Sequence, residues 1–474
     1  MRARRWLLYA SLGSGVLTLA TVYRLYGLAM RSIYPTPISF NEGWDAYYAK
    51  AASDGVKLYG APPLVTAVNY PPLSFHLVGL LGRFLHDMNF AGRMISFLSL
   101  LWVAGCVAVI VLKMVHRRFA ALQAALFCLA WLSLFGGGHV GASEPQLLGH
   151  AVIMSGVVLY VIGQDSLVLL LASCVLCVAG GFVKHNLLPF PLGIGVDLLF
   201  RSRTRFATWV VFACAMLFAG IVLTHWIDGG YFLQHLANPR GFEWERIPKV
   251  SGFFLAAFLP TLLVCILWFR RILAVPYGVV AISALLVSLS LGMLFTGGTG
   301  VSVNVFFDAI IAMSIIAAVL LNEFRDRADI DSPPIAVLAT LAPLLLSAGP
   351  LVYGFFGSIP SRTSLSSSAQ QYLGDVAYMR GAPGDAICLN LSLCYDSGKP
   401  LVFDPYTTNE RLAAGALSQE TLAAKIRIQE YGVVELGSEP FSGVYFPDAL
   451  LTILPSYYRI DRTSGERSFY VPKR

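Results

Sequence analysis

Charge is what this sequence has least of: across 474 residues only 13% are Asp, Glu, Lys or Arg, while 56% are hydrophobic. A soluble domain carries roughly 25% charged residues, so a chain solvated by water alone is excluded, and the mean hydropathy of +0.67 agrees. No internal repeat or low-complexity array is visible, so no repeat architecture is called for. The glycines of "TGGTGVSVNVFFD", 296–308, lack the spacing of a phosphate cradle and signal only close backbone approach. The net charge of +7 needs no nucleic-acid partner, because the basic residues cluster where helices should meet the cytoplasm.

What is present is a series of apolar runs close to the roughly 20 residues that cross a bilayer. They lie near 6–30, 92–115, 119–137, 146–163, 166–183, 187–200, 206–226, 252–269, 273–295, 302–322 and 335–355. The first follows "MRARR", is longer than a secretory h-region and has no small-residue cleavage site after it, so it reads as a retained anchor. Basic clusters ("RARR", "KMVHRR", "RSRTR", "FRR", "FRDR") mark alternate crossings. The N-terminus is therefore cytoplasmic, and eleven crossings carry the C-terminus to the other side. The stretch "YPPLSFHLVGLLGRFLHD", 70–87, is short and interrupted by Arg83. As a span it would invert every later cluster, so it reads as a helix lying in the outer interface.

On this topology the outward loops are 31–91, 138–146, 227–251 and 296–301. Loops longer than about 12–15 residues usually carry function, and the first far exceeds that. Residues 356–474 change character: "AICLNL", "PLVF", "YGVVEL" and "SFYVP" have strand length, and "NERLAAGALSQETLAAKIRIQEYG" has helical spacing. The fold class is thus an α-helical polytopic membrane protein, 1–355, with a small extracytoplasmic α/β domain, 356–474. The Ser-rich "SRTSLSSSAQQ", 361–371, reads as the linker into it. Six of the eight cysteines lie within spans as apolar filler. Cys388 and Cys394 lie in the tail, as a disulfide or as two free thiols. Six positions along a straight strand span about 20 Å, so a bridge requires a turn near Asn390 to Ser392.

Within the first loop, "FNEGWDAYY" places Glu42 and Asp45 three apart, on one helix face, among Trp44, Tyr47 and Tyr48. Structurally, such acids complement a helix N-terminus capped by Asn41. Functionally, a carboxylate there acts as a general base or a metal ligand at the membrane surface. "NYPPLSFH" adds Tyr70 and His76, its prolines fixing an extended entry. Arg93 opens the second span, and Lys184 with His185 closes the fifth, all on the outward side. Singly each reads as a snorkelling base; together they form a cationic site for a phosphate. The loop "GGGHVGASEPQ" contributes His139 and Glu144, an acid with little structural work to do in so short a turn. Arg24 and Asp197, inside spans, are assigned no chemistry.

Taken in order, these pieces resemble the GT-C superfamily of polytopic glycosyltransferases, which includes protein mannosyltransferases and lipid A aminoarabinose transferases. "NEGWDAYYAKAA" stands where the family has an acidic motif in its first outward loop. "YPPLSF" matches a following PPL element, and "GRMISFLSLL" matches an Arg-led span. "SEPQLL", "FVKHNLL" and "GVSVNVFFDAIIAMSI" are weaker matches, the last placing Asn304 where relatives have a pocket Asn or Tyr. Where relatives have Asp before Glu this chain has Asn41, so Glu42 alone takes the matched position. The resemblance implies transfer of a sugar from a polyprenyl phosphate to an acceptor outside the cytoplasm of a bacterial inner membrane, with inversion. It implies Glu42 as base, with Asp45 and Glu144 as further acids, and Arg93, Lys184 and His185 at the donor phosphate. His76, Tyr70 and Asn304 are implied to line the pocket. Metal use varies across the superfamily, so a divalent ion (Mg, Mn or Ca) stays open and no other cofactor is implied.

The main rival is a lipid or sugar transporter, since intramembrane charges also suit a translocation path. Transporters more often show two related halves, and none are visible. A third reading is a non-catalytic binding protein whose tail is the working part.

Overall fold

Backbone in lipid must close its hydrogen bonds within the segment, so the apolar runs fold as helices. The computed structural model describes residues 2–61, 66–163, 165–238, 240–327, 333–356, 360–437 and 446–473. The helices in order are α1 (Arg2–Ile33), α2 (Glu42–Ser53), α3 (Leu73–Leu85), α4 (Met88–Val115), α5 (Arg118–Leu134), α6 (Gln146–Ile162), α7 (Leu167–Val183) and α8 (Pro189–Arg201). There follow α9 (Arg203–Asp228), α10 (Phe232–Leu236), α11 (Arg246–Leu267), α12 (Phe269–Leu273), α13 (Gly278–Phe295), α14 (Phe307–Arg327), α15 (Pro333–Leu346) and α16 (Ala348–Phe356).

Each of the eleven apolar runs is helical. By length and composition, five described helices can cross a membrane, and a sixth span is formed if α15 and α16, bent by 52° at their junction, count as one. The eleven-span expectation exceeds this in part because α8 has 13 residues and α5, α6 and α7 have only 17 each. At 1.5 Å per residue, that is about 25 Å of rise against a hydrocarbon core of about 30 Å. The interfacial segment 70–87 forms α3, which packs on α2 and α4 and leaves Leu80 and Phe84 exposed. The bundle core centres on α14, whose apolar window is 83% buried.

The tail opens with α17 (Arg362–Gly381), not a linker. Ser361 accepts from the Ser364 amide as an N-cap, and Leu365, Ala369, Tyr372, Val376 and Met379 bury one face at helical spacing. Strands β1 (Ala386–Cys388), β2 (Val433–Leu436), β3 (Tyr458–Ser464) and β4 (Arg467–Pro472) form a sheet in the order β1-β2-β4-β3. β1 pairs with β2 in parallel and β3 with β4 as a hairpin turned at Gly465. The crossover from β1 to β2 holds α18 (Leu391–Asp396), α19 (Pro405–Ala413) and α20 (Gln419–Arg427); α21 (Asp448–Tyr457) precedes β3. The expected strand "PLVF" is irregular: Pro400 and Pro405 donate no backbone hydrogen bonds, and Phe403 packs into the core instead. Cys388 and Cys394 form a disulfide with Cα atoms 5.8 Å apart, across the turn that starts α18.

The tail sits on α2. A Cβ on Gly43 would lie 2.0 Å from the Ser392 amide nitrogen, so only glycine permits this approach. Tyr47 donates to the Lys399 carbonyl at 2.7 Å.

Candidate active site

Glu42 and Asp45 both lie in the first turn of α2 and both are buried. Glu42 is fully enclosed. Its Oε1 accepts from Arg93 Nε at 2.8 Å and the Ser143 amide at 2.9 Å, and its Oε2 accepts from Arg93 Nη2 at 2.6 Å and the Ile38 amide at 2.7 Å. Arg93 also donates to the Tyr34 and Thr36 carbonyls, at 2.5 and 3.0 Å. The pair therefore ties the chain before α2, the α5–α6 loop and α4 into one knot. Four of the five Arg93 N–H groups are spent there. As placed, both Glu42 oxygens and the Arg93 donor fork, expected at an acceptor and at a phosphate, are engaged with protein partners.

One turn on, Asp45 is 6% exposed and its Oδ2 has no hydrogen-bond partner. Burial first, then the Glu144 charge, pushes this carboxyl well above the usual range, against the opposing pull of Lys184. Glu144 receives the Ser39 hydroxyl on Oε1 at 2.7 Å and pairs with His139 through Oε2 at 2.6 Å. Burial alone would raise its pKa, but His139, Ser39 and Lys184 outweigh it and hold it down at about 2. Lys184 caps the C-terminus of α7, with its ammonium 5.2 Å from the centre of the Tyr70 ring. Burial lowers it to about 8, with Glu144 and Asp45 opposing and Arg240 adding to the fall.

These groups meet beside a cleft of about 180 Å³ lined by Ser39, Asn41, Trp44, Tyr70, Glu144 and Arg240 from the first part of the chain and by Leu391, Asp404, Tyr406 and Thr407 from the tail. Asp45 and Glu144 also share a small adjoining pocket with Ser74 and Ser143. Arg240 stands exposed at the mouth and donates from Nε to the Tyr406 hydroxyl at 3.0 Å. The Tyr406 hydroxyl donates to the Thr299 carbonyl at 3.0 Å, and Glu410 accepts from the Gly241 amide and the Thr299 hydroxyl. The tail thereby closes one wall of the cleft. Asp404 caps α19, accepting from the Tyr406 amide and the Thr407 hydroxyl, and burial raises it to about 6.

The structure thus brings Asp45, Glu144, Lys184 and Tyr70 together and leaves other expected residues apart. His76 pairs with Asp228 at 2.8 Å, joining α3 to the end of α9 away from the cleft. His185 is exposed beside Lys184 and does not line the cleft; nor does Asn304, although Gly300 in the same loop does. Arg240, Asp404 and Tyr406 were missed. Arg240 is one base in a long loop, and "DP" at 404–405 announces a capped helix start rather than a site. As to metal, no group of three His, Cys, Asp or Glu converges among the described residues. Glu144 also spends both oxygens on protein donors.

A bundle of apolar helices, an acid-bearing helix after the first of them and an α/β tail closing the cleft define a polytopic helical membrane fold. No family model matches the chain, and no curated protein sequence does. In structure it is similar to ArnT from Cupriavidus metallidurans in the apo state. The TM-score is 0.65 at 12% identity, over 96% of this chain and 97% of that one. With ArnT from the same organism bound to undecaprenyl phosphate, the TM-score is 0.61 at 12% identity, over 98% of each chain.

Proposed function

We propose that this protein is a membrane glycosyltransferase that moves a sugar from a polyprenyl-phosphate donor to an acceptor hydroxyl outside the cytoplasm. The single observation that carries the reading is the unpartnered, buried Asp45 oxygen set beside Lys184, in a fold whose full length matches a protein crystallised with undecaprenyl phosphate. A translocation path gives no account of that match over the whole chain.

Asp45 is the base. Its raised proton affinity suits it to take the acceptor proton as the acceptor oxygen attacks the anomeric carbon. The bond from that carbon to the phosphate oxygen breaks, the lipid phosphate keeps the electron pair, and Lys184 and Arg240 stabilise its charge. Displacement from the opposite face inverts the anomeric centre. Glu144, pinned by Ser39 and His139, keeps a fixed negative charge near Asp45 and holds up its basicity. The Glu42–Arg93 knot positions α2. The cleft and the tail face the extracytoplasmic side, with 1–355 as the catalytic bundle and 356–474 as the domain that closes the acceptor wall.

The test is transfer or hydrolysis by the purified chain in liposomes with a panel of polyprenyl-phosphate sugars, following release of the polyprenyl phosphate. Wild type consumes at least one donor and Asp45→Asn does not. A folded wild type that consumes none, or an Asp45→Asn variant that keeps pace with it, would sink the proposal.

A further inference from the structure

At the far end of α7 from Lys184, about 25 Å along that helix, lies a second cavity with a different chemistry. It measures about 410 Å³ and is lined by Tyr160, Asp165, Arg201, Ser202, Arg205 and Tyr277. No step of the proposed transfer uses it.

Its electrostatics favour an anion. Helix ends of both signs meet there: Ser166, Ser202 and Tyr277 are the N-caps of α7, α9 and α13, while Tyr160 lies in the last turn of α6 and Ser202 also closes the C-terminus of α8. Their dipoles offset in part, so the preference for an anion rests on the arginines. Arg201 and Arg205 add planar guanidinium groups of the kind that fork onto phosphate oxygens.

Two carboxylates are present and neither closes the site. Asp197 is consumed inside the protein, its Oδ2 taking the Tyr160 hydroxyl at 2.5 Å and Arg201 Nε at 2.7 Å. Asp165 is 99% exposed and stands 3.9 Å from Arg205, an ion pair weak enough for a phosphate to displace.

Tyr277 points to a missing ligand. Only 7% of it is exposed, and its hydroxyl has no hydrogen-bond partner although it lies in the field of Arg201, Asp197, Asp165 and Arg205. The ring is clamped between Arg201, 4.5 Å from its centre, and Tyr160, 5.7 Å away. Its backbone is left-handed, with φ of 61°, a conformation that costs energy for a non-glycine residue. A buried phenol held this way needs an acceptor, and a phosphate oxygen supplies one.

The surroundings select the source of that phosphate. Val168, in the first turn of α7, and Phe200, next to Arg201 in the chain, are 75% and 78% exposed. They offer apolar surface for acyl chains at the membrane interface. Basic pockets between membrane helices are where anionic headgroups bind. We propose that this cavity binds the phosphate of an anionic phospholipid headgroup, at the end of the bundle opposite the catalytic cleft.

The full chain, purified in detergent, is titrated with dioleoyl-phosphatidylglycerol and, separately, dioleoyl-phosphatidylcholine, and bound lipid is counted by native mass spectrometry. The anionic lipid should be retained selectively. Tyr277→Phe keeps the ring and its packing and removes only the hydroxyl, so it should fold and bind about ten-fold more weakly. Arg205→Gln should weaken binding by a similar factor. Equal retention of the two lipids, or wild-type binding by both Tyr277→Phe and Arg205→Gln, overturns the proposal. Displacement of the bound lipid by an equal concentration of soluble glycerol phosphate would assign the site to a free phosphate ester and overturn the lipid source.

Discussion

Two carboxylates three residues apart on α2 stand in opposite environments. Glu42 accepts four hydrogen bonds, two of them from Arg93, and ties three chain segments together. Asp45, also buried, keeps one oxygen without a partner and has a cation, Lys184, in its field. Both are buried acids among aromatics, so composition and burial cannot distinguish them; the number of donors that converge on each does. A satisfied buried ion pair resists change because breaking it strands a charge. An unsatisfied buried acid is costly to fold around and is held ready for a proton.

The contrast breaks most sharply at Asp45. Asp45→Asn should cut turnover by roughly 10²–10⁴-fold while thermal stability holds or rises, since a costly buried carboxylate is removed; a large fall in melting temperature would place Asp45 with the structural acids. Next, Arg93→Met should cost about 3–5 kcal/mol of stability by leaving the buried Glu42 carboxyl without its cationic partner. The double variant with Glu42→Gln should recover part of that loss, as measured by thermal unfolding in detergent. An Arg93→Met protein of normal stability and impaired donor binding would return Arg93 to the phosphate.

A smaller effect is expected at the cations. Lys184→Gln and Arg240→Gln should each weaken donor binding about ten-fold, near 1.4 kcal/mol, and unchanged affinity in both would remove the phosphate from this end of the cleft. The smallest is a pH dependence. Lys184 is charged below about 8 and loses its proton as pH rises through that value, so donor KM should climb there. For stability the sign is opposite. The unfolded lysine keeps its proton toward its ordinary 10.5 while the folded one has released it, so stability should rise with pH between about 8 and 10.5. A donor KM flat across pH 7–9 would count against a titrating Lys184 at the phosphate.

Much of the helical frame was legible, because apolar runs in lipid have few options other than helix. Which helix lies inside was not. α9 and the α14 window have nearly the same hydropathy, 2.4 and 2.3, yet their buried shares are 6% and 83%. Lipid tails are as apolar as leucine, so hydropathy does not drive one helix inward over another. In the tail, Ser-rich composition read as a linker, whereas an N-cap and a buried stripe made α17 a helix.

The sequence by itself determined that this is a polytopic helical membrane protein and that an α/β tail follows its apolar helices. Those conclusions rest on periodicity, run length and order, which are local. Only the tertiary structure decided that Arg93 belongs to Glu42, that Asp45 keeps a free oxygen, and that Arg240 and Tyr406 complete the cleft from distant parts of the chain. The physical reason is that a carboxylate's role follows from how many donors reach it, and at Glu42 all but the Ile38 amide come from Arg93 and Ser143, 51 and 101 residues away.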